Sequence, residues 1–181
     1  MSRLTAGSKM PEFSYETPFS KKENLSDAVK KVKGKTAVVF LRYYGCTLCQ
    51  FDIHNYIKGY DEIKRTGGQL LVVLQSDPCL VYEQIKDRSV PFEIICDKAQ
   101  KLYREFDISP AEAMENMIDA KGKEKIAQAA AEGFKHGEYE GNELQLPAVF
   151  IMDAERNLEY VHYSETASDV PTVTELKELL K

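Results

Sequence analysis

The sequence lacks the features that mark several common classes of protein. Its 181 residues include only four cysteines, which are too few for a disulfide scaffold. It contains no apolar run long enough to cross a membrane, and residues 1–11 lack the apolar core of a signal peptide. The net charge of −5 provides no basic field to attract nucleic acid or anionic lipid. We therefore expect neither nucleic acid nor membrane as a partner, and a cytoplasmic location.

What is present is ordinary for a globular chain. Hydrophobic residues make up 43% of the sequence and charged residues 29%, which is enough apolar material for a full core in one domain over residues 1–181. No glycine-rich phosphate-binding loop is visible, and no pattern indicates a nucleotide or flavin site. The sequence therefore predicts a single domain without a bound cofactor or metal.

The most informative motif is a pair of cysteines, Cys46 and Cys49, that follows an apolar, β-branched run over residues 36–44. Gly45 ends the run, and a helix is predicted over residues 48–65. A cysteine at a helix start lies near unpaired backbone N–H groups and the positive end of the helix dipole, which favour the nucleophilic thiolate. The second cysteine follows one turn later, close enough to close a disulfide. Between a strand and a helix, C-x-x-C is typical of thioredoxin-like redox proteins.

The sequence leaves two other interpretations of the pair open. C-x-x-C is also half of a common zinc site, with Cys79, Cys96 or His54 as candidates for the remaining ligands. The chain has no second closely spaced pair of cysteine or histidine residues, which counts against zinc. Alternatively, both thiols are buried and inert. The position between strand and helix favours redox chemistry over both alternatives.

The hydrophobic pattern up to residue 108 alternates strands with helices. Short apolar runs predict strands over residues 36–43, 69–75 and 91–96. Helical spacing and helix start signals predict helices over residues 48–65, 79–88 and 98–106, and an earlier one over 23–33 within an N-terminal extension of residues 1–34. This β-α-β-α-β-α order predicts a parallel sheet covered by helices on both faces.

Residues 109–142 interrupt that order. We interpret them as a helical insertion, with short helices over 111–117 and 123–132, because the stretch is too short and polar to hold its own core. A proline-led strand, a hairpin partner and a closing helix are predicted over residues 148–153, 158–163 and 171–181. The late hairpin makes the sheet mixed. The predicted fold class is therefore α/β and thioredoxin-like, a central mixed β-sheet flanked by helices.

Three segments carry a resemblance to a known family. They are Val38–Cys46 (VVFLRYYGC), Phe92–Asp97 (FEIICD) and Val149–Asp153 (VFIMD). With the cysteine pair, they make the chain resemble the peroxiredoxin-like branch of the alkyl hydroperoxide reductase C and thiol-specific antioxidant family. The resemblance implies an antioxidant oxidoreductase with a redox-active Cys46–Cys49 disulfide. It also implies a peroxide or disulfide as substrate, and thioredoxin or a low-molecular-weight thiol as reductant.

The same resemblance leaves the roles of the cysteines open. Thioredoxins attack with the first cysteine of the motif, here Cys46, and Cys49 would then be the resolving thiol. Peroxiredoxins would make Cys49 the attacking residue, with Cys46, Cys79 or no cysteine as the resolver. Some family members draw a resolving cysteine from the region of Cys79. Thr47 lies inside the motif as a supporting residue. Pro147 is expected to face the pair after a cis peptide bond, as the proline of thioredoxins does.

Two departures from the family pattern concern peroxide. Typical peroxiredoxins have a proline and a threonine before the attacking cysteine, where this chain has Arg42 and Cys46 if Cys49 is aligned there. Pro147 occupies the position of an arginine that polarises peroxide. We therefore expect peroxide turnover below that of a typical peroxiredoxin, with disulfide reduction better retained. A further alternative is a non-catalytic binding protein of the same fold, with residues 109–142 as its recognition surface.

Overall fold

The computed structural model describes residues 3–181, and its main feature is a five-stranded β-sheet. The strands are β1 (Ser14–Tyr15), β2 (Glu23–Asn24), β3 (Thr36–Phe40), β4 (Gln69–Leu74), β5 (Glu93–Cys96), β6 (Ala148–Met152) and β7 (Leu158–Tyr163). The helices are α1 (Leu25–Val29), α2 (Thr47–Arg65), α3 (Pro78–Ile85), α4 (Lys101–Glu105), α5 (Ala120–Ala131) and α6 (Val173–Leu179). β1 and β2 form a separate hairpin, so the other strands make up the central sheet.

The central sheet is mixed, as the sequence predicted. Its strand order is β5-β4-β3-β6-β7. β3 pairs in parallel with β4, and β4 with β5, whereas β6 lies antiparallel to β3 and β7 antiparallel to β6. α2 and α3 make the crossovers between the parallel strands, which need long connections. The α/β thioredoxin-like fold expected from the sequence is therefore confirmed.

The sheet separates two hydrophobic cores. β3, β4 and β6 are buried along their whole length, which explains their continuous apolar sequences. Ile53, Tyr56 and Leu176 belong to the core on the side of α2 and α6. On the other side, Phe40 contacts Tyr103 edge to face, with ring centroids 5.1 Å apart. Packing on both faces fixes the strand ends from which the functional residues project.

The first predicted helix is shorter than its apolar spacing suggested. In the structure α1 begins at Leu25 and ends at Val29, whereas the prediction covered residues 23–33. Glu23 is paired with Tyr15 in the β1–β2 hairpin, so the chain is extended where the prediction placed the helix start. Helical spacing reports only local periodicity and gives no signal for a pairing partner elsewhere in the chain.

In the insertion, the second of the two predicted helices forms as α5. Its start is capped by Asp119, whose side chain accepts a backbone hydrogen bond of 2.7 Å from the first turn. The helix predicted over 111–117 is wrong, because only a 3₁₀ turn forms at Met114–Asn116. The amide of Ala111 instead donates to the carbonyl of Leu144 at 2.8 Å. That long-range bond holds the segment in an extended path.

The carboxyl ends of the parallel strands define one edge of the sheet. The segment between α5 and β6 crosses this edge and bonds to residues just after β3 and just after β4. Functional sites of parallel sheets lie at this edge. The cysteine pair follows β3, and the crossing segment is hydrogen-bonded to Gly45 immediately before it. The insertion therefore covers the candidate site.

Candidate active site

Cys46 and Cys49 lie where β3 passes into α2. Cys46 takes the N-cap position of the helix, with extended backbone angles (φ −67°, ψ 127°). Its carbonyl accepts a hydrogen bond from the amide of Gln50 at 2.9 Å, which begins the helix. Cys46 therefore faces the unpaired amides at the positive end of a 19-residue helix, as the sequence predicted.

Arg42 is a charged partner of the thiols, a role that the sequence pattern did not indicate. Its Nη1 donates to Cys46 Sγ at 3.4 Å, and its backbone amide donates to Cys49 Sγ at 3.4 Å. The side chain is buried, and within residues 3–181 its Nε has no hydrogen-bond partner. A buried guanidinium is stabilised by a nearby negative charge, and Cys46 Sγ lies where a thiolate would supply it. The sequence signal was a single charge in the apolar run before the motif.

The contacts around the two thiols separate their pKa values. A hydrogen bond from the Cys49 thiol, the charge of Arg42 and backbone amides lower the pKa of Cys46 to about 6, although burial opposes them. Burial and the neighbouring Cys46 raise the pKa of Cys49 well above its ordinary value. These opposite shifts favour the thiolate at Cys46 and the protonated thiol at Cys49.

Residues 134–143, the last part of the insertion and the residue after it, lie over the pair, and we call them the strap. The amide of Gly137 in the strap donates to the carbonyl of Gly45 at 2.7 Å. Gln50 Nε2 donates to the same carbonyl at 3.1 Å. Beneath the strap the two cysteines of the motif expose only 2% and 3% of their surface. The thiols are therefore covered by a part of the chain that is distant in sequence.

The end of the strap is bonded to residues that follow β3 and β4. Gln75 Nε2 donates to the carbonyl of Asn142 at 2.8 Å, and the amide of Asn142 donates back to Gln75 Oε1 at 2.9 Å. Arg42 Nη2 donates to the carbonyl of Glu143. The arginine that contacts the thiolate thus also holds the covering segment.

Aromatic side chains pack against the strap from below. The hydroxyl of Tyr43, which is fully buried, lies 3.0 Å from Nε2 of His136. His136 stacks on Tyr139 with ring centroids 4.1 Å apart. At the start of the strap, Phe134 contacts Phe51 of α2 with ring centroids 5.7 Å apart. The strap is therefore held by packing as well as by hydrogen bonds.

Comparison with known proteins identifies the family. A family model described as the AhpC/TSA family matches residues 6–161. The chain belongs to the AhpC/TSA family. It is therefore an oxidoreductase, and the match supports a thiol-dependent peroxide reductase. No curated protein sequence matches the chain.

Several solved structures resemble this AhpC/TSA protein. The yeast mitochondrial 1-Cys peroxiredoxin is 17% identical with a TM-score of 0.68, over 97% of this chain and 74% of that one. Peroxidoxin BcpB from Mycobacterium tuberculosis is 12% identical with a TM-score of 0.69, over 99% and 100% of the two chains. Mycobacterium bovis AhpC is 17% identical with a TM-score of 0.64, over 99% and 92%. At these identities the likeness shows a common fold.

Pro147 does not have the cis peptide bond that the thioredoxin analogy predicted. All peptide bonds of the described residues are trans, so that prediction is wrong. Trans is the form that X–Pro bonds generally favour, and here the Pro147 carbonyl accepts the amide of Ser164 at 3.1 Å. The register pairs Ala148 with Phe40, which places Pro147 at the same edge of the sheet as Arg42. Pro147 therefore precedes β6 at this edge, but with a trans peptide bond instead of the predicted cis bond.

The other two cysteines of this AhpC/TSA protein lie outside the dithiol site. Cys79 is exposed at the start of α3, and its amide donates to the side chain of Asp77 at 2.8 Å. It lines a cavity of about 620 Å³ together with Phe19 and Tyr82. Cys96 is buried at the end of β5, as expected for a core residue. A resolving role for Cys79 stays a prediction.

Two further candidates lie on α2. Thr47 is the first residue of the helix and is half-buried. His54 lies with its Nε2 3.8 Å from Glu132 Oε2, and its ring contacts Phe134 with centroids 5.2 Å apart. His54 therefore contacts the base of the strap. A supporting role for Thr47 at the thiols stays a prediction.

Neither a metal centre nor a membrane-spanning helix is found in the described part of the chain. Among residues 3–181, no group of three or more histidine, cysteine, aspartate or glutamate side chains is placed to hold a metal ion. The same residues contain no helix that is both long and apolar enough to cross a bilayer.

A buried ion pair connects the helix of the motif to the insertion. Asp52, one turn after Cys49 on α2, pairs with Lys125 of α5. Burial raises the pKa of Asp52 to about 6, although the charge of Lys125 acts in the opposite direction. The strap begins shortly after α5 ends, so this ion pair fixes the base of the strap against the helix that carries the cysteines.

A cleft of about 420 Å³ opens beside the motif. Tyr44, Gly45 and Gln50 line it on the side of the motif, and Arg88 and Glu138 contribute to the other walls. It reaches the residue that immediately precedes Cys46. Small molecules therefore have a space next to the covered thiols.

Proposed function

We propose that the protein reduces peroxides with Cys46 as the attacking thiolate and Cys49 as the resolving thiol. The surroundings of Cys46 carry this proposal, because the helix start, the Cys49 thiol and the Arg42 guanidinium all stabilise its negative charge. A nucleophilic cysteine needs such groups to be ionised at neutral pH. Membership of the AhpC/TSA family supports the same chemistry.

In the first step the Cys46 thiolate attacks one oxygen of the peroxide. The S–O bond forms as the O–O bond breaks, and the leaving hydroxide or alkoxide takes a proton to become water or an alcohol. Cys46 is oxidised to a sulfenic acid, and the peroxide is reduced by two electrons. The guanidinium of Arg42, in contact with the reacting sulfur, favours the negative charge that develops on the leaving oxygen.

In the second step Cys49 attacks the sulfur of the sulfenic acid. The S–S bond forms as the S–O bond breaks, and the oxygen leaves as water with the proton that Cys49 gives up. The position of Cys49 one helical turn after Cys46 supports this partner. Both cysteines are free thiols in the structure, which corresponds to the reduced start of the cycle.

A two-electron reductant must then restore the dithiol. The similar yeast 1-Cys peroxiredoxin is described as using glutathione/thioredoxin systems for thiol resolution. We propose a thioredoxin or a low-molecular-weight thiol for this protein as well. Two thiols would reduce the disulfide and leave joined as a disulfide of their own. Such a cycle needs a reducing compartment, and we propose the cytoplasm.

Disulfide exchange by the same dithiol is the second candidate function. The C-x-x-C motif at the start of α2 supports it, since Cys49 can release a mixed disulfide formed through Cys46. Peroxide turnover below that of a typical peroxiredoxin stays a prediction. Pro147 in place of the family arginine would lower the turnover, whereas Arg42 brings another guanidinium to the attacking sulfur. The lowered pKa of Cys46 argues against an inert binding protein.

A thiol count tests the proposed function. The reduced protein is treated anaerobically with an equimolar amount of hydrogen peroxide, and its free thiols are counted before and after. We expect the loss of a pair of thiols in the wild type and in Cys79→Ser, with a Cys46–Cys49 linked peptide in non-reducing maps. Cys49→Ser should stop at the sulfenic acid, and Cys46→Ser should keep its thiols. Retention of every thiol in the wild type would overturn the proposal, and a Cys49–Cys79 linkage would reassign the roles.

A further inference from the structure

We propose that the strap selects the reactants of the dithiol by size. It admits small hydroperoxides and small thiols to Cys46, and it excludes protein disulfides and protein thiols. This inference rests on the proposed function and names the substrate class of the same site. It also favours a low-molecular-weight thiol over a thioredoxin as the reductant.

The first observation is the depth of the dithiol. Exchange with a protein disulfide passes through a mixed disulfide in which the whole partner is joined to the attacking sulfur. Cys46 exposes 2% of its surface, so a folded partner cannot reach its sulfur while the strap is in place. A hydroperoxide brings only one small oxygen to the thiolate. An opening the size of a small molecule therefore admits a hydroperoxide and excludes a folded protein.

The second observation is the contact between Gly45 and the strap. A Cβ atom on Gly45 would lie 2.1 Å from the carbonyl oxygen of Glu138 and 2.8 Å from its amide nitrogen. On the strap side, a Cβ on Gly137 would lie 3.2 Å from the Cα of Gly45. Backbone meets backbone with no side chain between, an approach that glycine allows. The closure therefore depends on the residue immediately before the attacking cysteine.

The third observation is that the strap is fixed near both ends and exposed in between. Gln50 Nε2 donates to the carbonyl of Lys135 at 2.9 Å near one end. Gln75 makes its two hydrogen bonds to Asn142 near the other. Residues 135–139 are exposed to solvent. Such a segment can bow outwards locally when only the Gly137 and His136 contacts in its middle break while its ends stay bonded, whereas a protein partner requires an end to be released.

The cleft beside the motif gives the small reactants a place next to the covered thiols. Its volume is about 420 Å³, and it reaches Gly45 and Gln50 at the head of α2. Pockets of this size hold small organic molecules. Its walls carry charges of both signs, so they suit a small thiol that bears both an ammonium and a carboxylate group: Arg88 and Lys135 beside Glu132, Glu138 and Glu140. The geometry thus offers a small reductant a binding place next to the disulfide that it would reduce.

The first test measures access to Cys46 without disturbing the strap. Reduced protein in a Cys79→Ser background, which lacks the exposed thiol, is labelled with N-ethylmaleimide or with the same maleimide on a polyethylene glycol chain. Labelling of Cys46 is followed by peptide mass spectrometry. We expect the polymer reagent to react at least about tenfold more slowly, because it needs the open strap. Equal rates for the two reagents would overturn the proposal.

The second test opens the strap. Gly45→Ala displaces its middle, and Gln75→Ala removes two of its hydrogen bonds; Gln128→Ala, an exposed glutamine of α5, is the matched control. Loss of two hydrogen bonds shifts an opening equilibrium by roughly tenfold or more. We expect Gln75→Ala to react faster than the control by that factor with the polymer maleimide and with insulin disulfides. Its rate with N-ethylmaleimide should stay within about twofold of the control.

Failure of the size selection and failure of the proposed function give different results. If the wild type reduces insulin disulfides as fast as Gln75→Ala does, the strap does not select by size, whatever hydrogen peroxide does. If hydrogen peroxide removes no thiols while the opened variants still gain reactivity with large reagents, the peroxidase proposal fails and the strap proposal stands. Thermal unfolding of each variant shows whether it is folded. A folded Gln75→Ala that reacts no faster than the control with the large reagents would overturn the strap proposal.

Discussion

Two helices of this protein begin at the same edge of the sheet and carry a cysteine at their start, yet the two cysteines have different surroundings. α2 follows β3 and α3 follows β4, and these strands are parallel neighbours. At α2 the N-cap is Cys46 itself, with Arg42 and Cys49 beside it. At α3 the N-cap is Asp77, whose carboxylate accepts the amide of Cys79.

The comparison teaches that a helix start does not by itself make a reactive cysteine. At α3 a carboxylate satisfies the free amide, which places a negative group beside the thiol. At α2 Cys46 itself is the N-cap residue, and a guanidinium and a second thiol favour negative charge on its sulfur. Charges also interact more strongly away from water. Cys46 is buried beneath the strap, whereas Cys79 is exposed.

The largest difference between the two helix starts is expected when each cysteine is replaced in turn. Cys46→Ser should abolish peroxide consumption, because a serine hydroxyl is not ionised near neutral pH and no thiolate remains to attack. Cys79→Ser should leave the rate within about twofold, since exposed substitutions usually have small effects. Peroxide consumption with dithiothreitol as reductant measures both. Loss of turnover in Cys79→Ser would instead make Cys79 a resolving cysteine.

The ion pair behind α2 should give the next largest effect. Lys125→Ala leaves the carboxylate of Asp52 buried without its partner, which should destabilise the protein by about 3–5 kcal/mol. Lys123→Ala, an exposed lysine on the same helix, is the control and should stay within about 0.5 kcal/mol of the wild type. Urea unfolding measures both values. Equal stability of the two variants would show that the pair contributes nothing to the fixing of α5.

A smaller effect is expected from Arg42, which contacts the sulfur of Cys46. The pKa of Cys46 is lowered, so the rate of its alkylation should rise with pH through about 6 and fall by about tenfold per pH unit below that value. Arg42→Met should move this midpoint to higher pH and slow peroxide reduction by about 10²-fold, because one charged donor is lost. The pH profile of N-ethylmaleimide labelling is the measurement. An unchanged midpoint would leave the helix start and Cys49 as the stabilising groups.

The smallest effect is expected at α3. Asp77→Ala removes the side-chain cap of that helix and should destabilise the protein by about 1 kcal/mol. The alkylation midpoint of Cys46 should not move, since Asp77 caps a different helix. Thermal unfolding and the pH profile of labelling give the two readings. A moved midpoint would show that the two helix starts are electrostatically coupled, contrary to the comparison.

The local sequence pattern was sufficient to predict the central strands and the helix that carries the cysteine pair. The apolar runs of β3, β4 and β6, and the helix start at Cys46, were predicted because burial on both faces leaves a continuous apolar sequence. The predicted helix over residues 111–117 did not form because the amide of Ala111 bonds to the carbonyl of Leu144, which is distant in sequence. The hairpin of β1 and β2 was missed for the same reason. In each case a partner elsewhere in the chain competed with the local preference.

By itself, the sequence determined the α/β fold, the family and a cysteine pair at a helix start, because these depend on residues close together in the chain. The tertiary structure alone decided that Arg42 contacts the thiolate, that Pro147 is trans and that the strap covers the site. Arg42 and Glu143 are hydrogen-bonded across a sequence separation of 101 residues. Contacts over such distances depend on how the sheet and its insertion pack, and no local periodicity records that packing.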